Sequence, residues 1–207
     1  MPPSRTSTVD ILRRAEETLK TAGQGLDDLI NGPQERKLSG FRNLIVFGRA
    51  VTNILQSLRS TEPSFDNWYG KYKEEMENDP LMRYFYDLRS KILKEGLTET
   101  GIGVYIKKFE YPADLARFGP PPPNAKGLFI GDNLGGSGWE VELQDGSIEK
   151  YYVELPSDIG TADIHFVAPP RIHLGKKITD TSVENLSKLY IDYLRRLVLS
   201  ATRALEL

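Results

Sequence analysis

The chain has 207 residues, 39% hydrophobic and 27% charged, with 27 basic and 29 acidic side chains and a formal charge of −2. Such a balance excludes general electrostatic affinity for nucleic acid but leaves room for a local basic patch. The absence of cysteine excludes disulfides, thiolate metal sites and a cysteine nucleophile, and fits a reducing compartment. No apolar run reaches bilayer-spanning length and the start, MPPSRTSTVD, lacks a signal-peptide core, so a cytoplasmic protein with no membrane partner is expected.

Residues 7 to 96 read as helices. The first starts near Ser7, whose hydroxyl with Asp10 forms an acidic variant of the capping box. Val9, Leu12, Ala15 and Leu19 share its face, and Gly23 is expected to end it. A short Leu26–Leu29–Ile30 stretch then stops at the breaker Asn31–Gly32–Pro33. The second helix, from about Glu35 to Leu58, is apolar around more than half its circumference. Phe41, Leu44, Ile45, Phe47, Val51, Ile54, Leu55 and Leu58 predict a central place in a bundle. The third helix runs from Pro63 to about Glu77, with Phe65, Trp68, Tyr69, Tyr72 and Met76 on one side. In the fourth, Asp79 is the N-cap, Pro80 the first residue and Gly96 the stop. Leu81, Tyr84, Phe85, Leu88 and Ile92 form its apolar stripe, and Asp87, Arg89, Lys91, Lys94 and Glu95 crowd its last two turns.

From Gly101 the period switches to two, with Ile102, Val104 and Ile106 alternating. The tetraproline 120–123 is expected to act as a stiff spacer between bundle and insertion. Leu128–Phe129–Ile130 makes a short strand, and GWEVELQDGSIEKYYVELP a hairpin whose Asp145–Gly146 pair favours a type I′ turn. Ala162 to Ala168 gives a further strand. The last helix starts at Thr181, with Glu184 completing a capping box. Its wide face of Val183, Leu186, Leu189, Tyr190, Tyr193, Leu194, Leu197, Val198 and Ala201 must be buried on the N-terminal helices. The fold class is therefore mostly α (α+β overall): a helical bundle, residues 1–99 plus 176–207, interrupted before its final helix by a small β-rich insertion, 100–175.

Sites of familiar chemistry are few. His165 and His173 lack the spacing of a zinc pair, and read as ordinary packed or surface histidines. GDNLGGSGWE lacks a P-loop ending and leads into a strand, so a hairpin connection is expected. No metal site and no cofactor follow. Arg42, Arg49 and Asn53 share one face of the second helix, and Arg14, Arg59 and Arg89 add cations to the helical part. Lining one groove, these would contact phosphates without reading sequence.

The stretch FDNWYGKYKEEMENDPLMRYFYDLRSKILKEG, residues 65–96, resembles the core of HEPN-like proteins. That superfamily comprises all-helical, commonly dimeric domains, many of them metal-independent ribonucleases. The family pattern is a helix ending in Arg-polar-x-x-x-His. In LRSKILKEG, Arg89 falls on its arginine, Ser90 on the polar residue, and Lys94 stands where the histidine is expected. A lysine with a pKa of about 10.4 stabilises an anion but is a poor base near neutral pH. The resemblance accordingly implies a HEPN-like RNA-binding or regulatory protein, homodimeric and non-catalytic, touching RNA through Arg42, Arg49, Arg89, Ser90, Lys91 and Lys94. The enzyme alternative is a toxin-like metal-independent endoribonuclease using Arg89 and Lys94 with Asp87 or Glu95. The third alternative is an interaction scaffold whose β insertion recruits a protein partner.

Overall fold

The computed structural model describes residues 7–95, 100–132 and 136–204; the side chains of 34–35, 93–95, 100–102 and 162–164 lie outside that description. Among the described residues five α-helices and seven short strands divide into two compact units, Met1–Glu99 with Ala168–Leu207, and Thr100–Val167. The protein is mostly α, with the β insertion before the last helix. Residues 168–175 fall with the helices. Among the described residues no helix is long and apolar enough to cross a membrane.

In the helical unit, α1 (Thr8–Asn31) and α2 (Gln34–Gln56) form an antiparallel pair joined at Gly32–Pro33. The Ser7 hydroxyl accepts from Asp10 N at 3.1 Å and caps α1. Gly23 does not end α1, which runs on through Leu26 and Leu29, both buried. Tertiary packing explains the difference. A Cβ on Gly25 would lie 2.6 Å from the Gly40 carbonyl oxygen, and one on Gly40 would lie 2.8 Å from the Gly25 oxygen. These glycines let two backbones touch, and the packing so gained offsets the ~1 kcal/mol that glycine costs a helix.

A 3-10 turn, Ser57–Ser60, leads to α3 (Phe65–Asn78), and α4 (Pro80–Glu95) follows one residue later. Asp79 caps α4 by accepting from Met82 N at 2.9 Å. Leu81, Phe85 and Leu88 are buried as expected, while Gly96 lies outside the described residues. The last helix, α5 (Val183–Ala204), packs against α1, α2 and α4. Its cap is Ser182 rather than Thr181: Asn185 N donates to the Ser182 hydroxyl at 3.3 Å, and the Asn185 amide reaches back to Asp180 O. One cluster joins Ile11 and Leu12 of α1, Val51 and Leu55 of α2, Phe65 and Tyr69 of α3, and Leu197 and Val198 of α5. Val9 and Phe47, expected on buried faces, are exposed at 56% and 37%.

The insertion holds β1 (Thr100–Ile106) paired antiparallel with β5 (Gly160–Phe166), and an antiparallel sheet of order β2-β3-β4 (Ala125–Ile130, Ser137–Glu142, Ile148–Val153). Its core is Phe118, Trp139 and Ile159. The tetraproline joins a 3-10 helix, Ala113–Phe118, to β2, so it lies inside the insertion and not between the units. At the β3–β4 turn Gly146 N donates to Leu143 O at 3.0 Å and Leu143 N to Ser147 O at 2.8 Å. Gly146 has φ +81°, while Asp145 keeps a negative φ. This is a type I turn closed by a left-handed glycine, not the expected type I′.

A third pair, β6 (Ile172–His173) and β7 (Lys176–Lys177), was not legible in the sequence. Its connecting residues Leu174 and Gly175 have φ +49° and +73°, the type I′ requirement.

Candidate functional site

Four helices converge on a cleft of about 570 Å³ in the helical unit. Its lining follows helical spacing: Arg49, Thr52 and Gln56 from α2, Tyr69, Lys73 and Glu77 from α3, Met82, Arg83, Tyr86 and Asp87 from α4. Arg59 enters from the 3-10 turn and Tyr190 from α5. Arg49, Arg59, Lys73 and Arg83 stand against Glu77 and Asp87, leaving the lining net positive.

Arg49 is held in place. Its Nη1 donates to the Thr52 hydroxyl at 2.6 Å, and its guanidinium lies 5.0 Å from the Tyr86 ring centroid, a cation–π contact worth about 0.5–1 kcal/mol. Thr52 is buried and donates in turn to Arg49 O. Arg59 spends its Nε and Nη2 on Asp66 at 3.0 and 2.9 Å, and Lys73 lies 3.8 Å from Glu77. Arg83 is exposed, and Tyr86 presents 51% of its surface. The cleft thus offers one braced arginine, one exposed arginine and a half-exposed aromatic ring that carries the first of them.

Tyr190 forms part of the cleft wall. A Cβ on Gly48 would sit 2.6 Å from its ring, so only glycine there admits it. The ring stacks on Phe85 with centroids 4.2 Å apart. Burial pushes the Tyr190 hydroxyl far above its usual range, with the Arg49 charge pulling more weakly the other way. Burial also raises Tyr193, helped by Glu75, and Tyr69. These phenols are neutral at physiological pH.

That has a cost at alkaline pH. A phenol whose folded pKa is raised holds its proton more tightly folded than unfolded. Its contribution is complete below the unfolded pKa of ~10 and is lost as pH rises above it. Above that pH the unfolding free energy should fall by about 1.4 kcal/mol per pH unit on account of Tyr190 alone. Urea titrations followed by circular dichroism on either side of that pH measure the slope. Tyr190→Phe should remove this share, and an unchanged slope would show that the phenol is hydrated.

The sequence-expected residues are only partly gathered. Arg49 and Asp87 line the cleft; Arg42 and Asn53, one face with Arg49 by spacing, are exposed and outside its lining. Arg89 is half-buried, with its Nε shielded from solvent and without a hydrogen-bond partner. Ser90, one turn beyond Tyr86, donates to Tyr86 O at 3.2 Å, and Lys91 is half-buried. Lys94 lies in the last turn of α4, with its side chain outside the description, as is that of Glu95. Lys73, Arg83, Tyr86 and Tyr190 were missed as site residues. Arg83, Tyr86 and Asp87 do share a face by their spacing, which was the available signal.

His173 is buried and bonds Asp79, Nδ1 to Oδ1 at 3.0 Å. His165 is exposed on β5. Neither histidine is in the cleft lining. Among the described residues no group of three or more His, Asp or Glu side chains could hold a metal ion.

Among known proteins, the family described as Bacteriophage lambda protein ea47 matches residues 8–107, just under half of the 207-residue chain. The similarity takes in α1 to α4 and β1, hence three of the four helices around the cleft; α5 lies beyond it. No curated protein and no solved structure matches the chain.

Proposed function

We propose that the protein binds RNA through the cleft of its helical unit and leaves the RNA intact, as a HEPN-like regulatory protein. The observation that carries this is the pairing of Arg49 and Arg83 with the exposed Tyr86 ring in one cleft. Arginine neutralises phosphate, and an open aromatic face stacks any base. Charge is segregated in the same sense. The helical unit has 22 basic and 19 acidic residues, a formal +3, while the insertion has 5 and 10, a formal −5. The near-neutral total conceals a basic bundle. The Arg89–Ser90–Lys94 resemblance points to the same helix. For proton transfer the cleft lining offers no imidazole, which favours binding over turnover.

Anisotropy of a fluorescent single-stranded RNA, with EDTA present and salt varied between about 50 and 200 mM, tests this. Affinity should fall steeply with salt, and Arg83→Ala should flatten the log–log slope by about 0.7. The RNA should be recovered whole on a denaturing gel. Cleavage by the unmodified protein, lost in Arg89→Ala and Lys94→Ala, would establish the endoribonuclease alternative. Absence of affinity at low salt would leave the scaffold.

A further inference from the structure

The insertion carries an open sheet edge. Among the described residues β4 has one neighbour in the order β2-β3-β4, and five consecutive residues from Ile148 to Tyr152 are exposed. Natural sheets blunt such an edge, because its free N–H and C=O groups template another strand. Here Ile148, Tyr151 and Tyr152 remain 54%, 58% and 49% exposed. The turn fixes which backbone groups are free. Leu143 N bonds Ser147 O, so the alternate residues Glu149, Tyr151 and Val153 face β3, opposite Val141, Trp139 and Ser137. The N–H and C=O groups of Ile148, Lys150 and Tyr152 therefore point outward. The hairpin, residues 137–154, has five acids (Glu140, Glu142, Asp145, Glu149, Glu154) and one base, Lys150. That base is already engaged, with Nζ 3.1 Å from Asp132 and 4.8 Å from the Phe129 centroid.

We infer that β4 is a docking edge for an extended basic segment of a partner protein, which adds as a further antiparallel or parallel strand. Main-chain hydrogen bonds from residues 148, 150 and 152 supply affinity, the tyrosines supply apolar contact, and the hairpin's acids select lysine and arginine. The same negative field repels a phosphate backbone, so this edge and the RNA cleft serve different ligands.

The test uses the full-length protein and two fluorescent peptides, one alternating valine with lysine and one alternating valine with glutamate. The lysine peptide should bind and the glutamate peptide should not. On binding, amide exchange should slow at Ile148, Lys150 and Tyr152. Lys150→Pro removes an outward N–H without touching the β3 ladder, as proline is tolerated at such edge positions. It also makes the hairpin more acidic, so an electrostatic surface would bind more tightly. Edge pairing instead predicts about tenfold weaker binding, the loss of roughly one net hydrogen bond. Lys150→Ala should bind at least as well as the parent, and Glu149→Lys with Glu154→Lys should weaken binding. Equal binding of both peptides, or no slowing of the three amides, overturns the inference even if Lys150→Pro misfolds. A dimer whose β4 amides are protected without peptide, dissociated by Lys150→Pro, would also overturn it by making a second copy the occupant.

Discussion

Asp79→Ala should lower the unfolding free energy of the helical unit by about 3–5 kcal/mol, since each buried donor left without an acceptor costs about 1–3 kcal/mol. The carboxylate is buried and accepts three donors from two distant segments. Met82 N at 2.9 Å is the cap of α4; His173 Nδ1 at 3.0 Å and Leu174 N at 2.6 Å belong to the β6–β7 hairpin, over ninety residues later. Alanine leaves all three without an acceptor, which costs more than the bonds were worth. Leu174 also holds φ +49°, a region unfavourable for a residue with a Cβ by about 1–2 kcal/mol. Its bond to Asp79 is what offsets that strain. The His173 ring edges onto Tyr193 of α5, with centroids 6.1 Å apart, so the clamp ties α4, the hairpin and α5 together. Asp79→Asn keeps one amide oxygen as acceptor and should lose less. Urea unfolding followed by helical circular dichroism measures both; a loss under about 1 kcal/mol would place the carboxylate in contact with water.

Asp79 also shows where sequence reading stops. Its role as N-cap is local, marked by Pro80 beside it, and was legible. Its bonds to His173 and Leu174 are not, because no pattern of composition or period links residues so far apart. The same division runs through the chain. The apolar faces of α2 and α5 could be read because a period of 3.6 is written into each helix. Gly23 misled because glycine's local cost to a helix is visible in sequence, whereas the Gly25–Gly40 contact that outweighs it is tertiary. Asp145–Gly146 announced a turn, but the loop length that selects the turn type is set by the strand register. The cleft is the hardest case. Arg49 stood out, yet Arg42 and Asn53 on the same face are exposed outside the cleft. Its companions arrive from α3, α4 and α5, whose mutual placement only packing decides.

Arg49→Glu combined with Arg83→Glu should abolish RNA retention at salt concentrations where the parent binds. The lining would change from four cations and two carboxylates to two and four, reversing its sign. Losing two phosphate contacts flattens the log–log salt slope by about 1.4 for single-stranded RNA. Repulsion by the two new carboxylates adds to that at low salt, where screening is weakest. The fold should survive. Thr52 keeps its bond to the residue 49 carbonyl, made by backbone oxygen at 2.9 Å, and Arg83 is on the surface. Arg49→Gln with Arg83→Gln separates loss of attraction from repulsion, since it removes the cations and adds no anion. Its affinity should fall between parent and reversal. Lys126→Glu with Lys150→Glu places the same charge change on the acidic insertion, where it should leave RNA affinity unaltered. Equal losses from both reversals would mean that RNA responds to net charge alone. An unchanged affinity in the cleft reversal, with unfolding midpoints intact, would remove the cleft from RNA binding altogether.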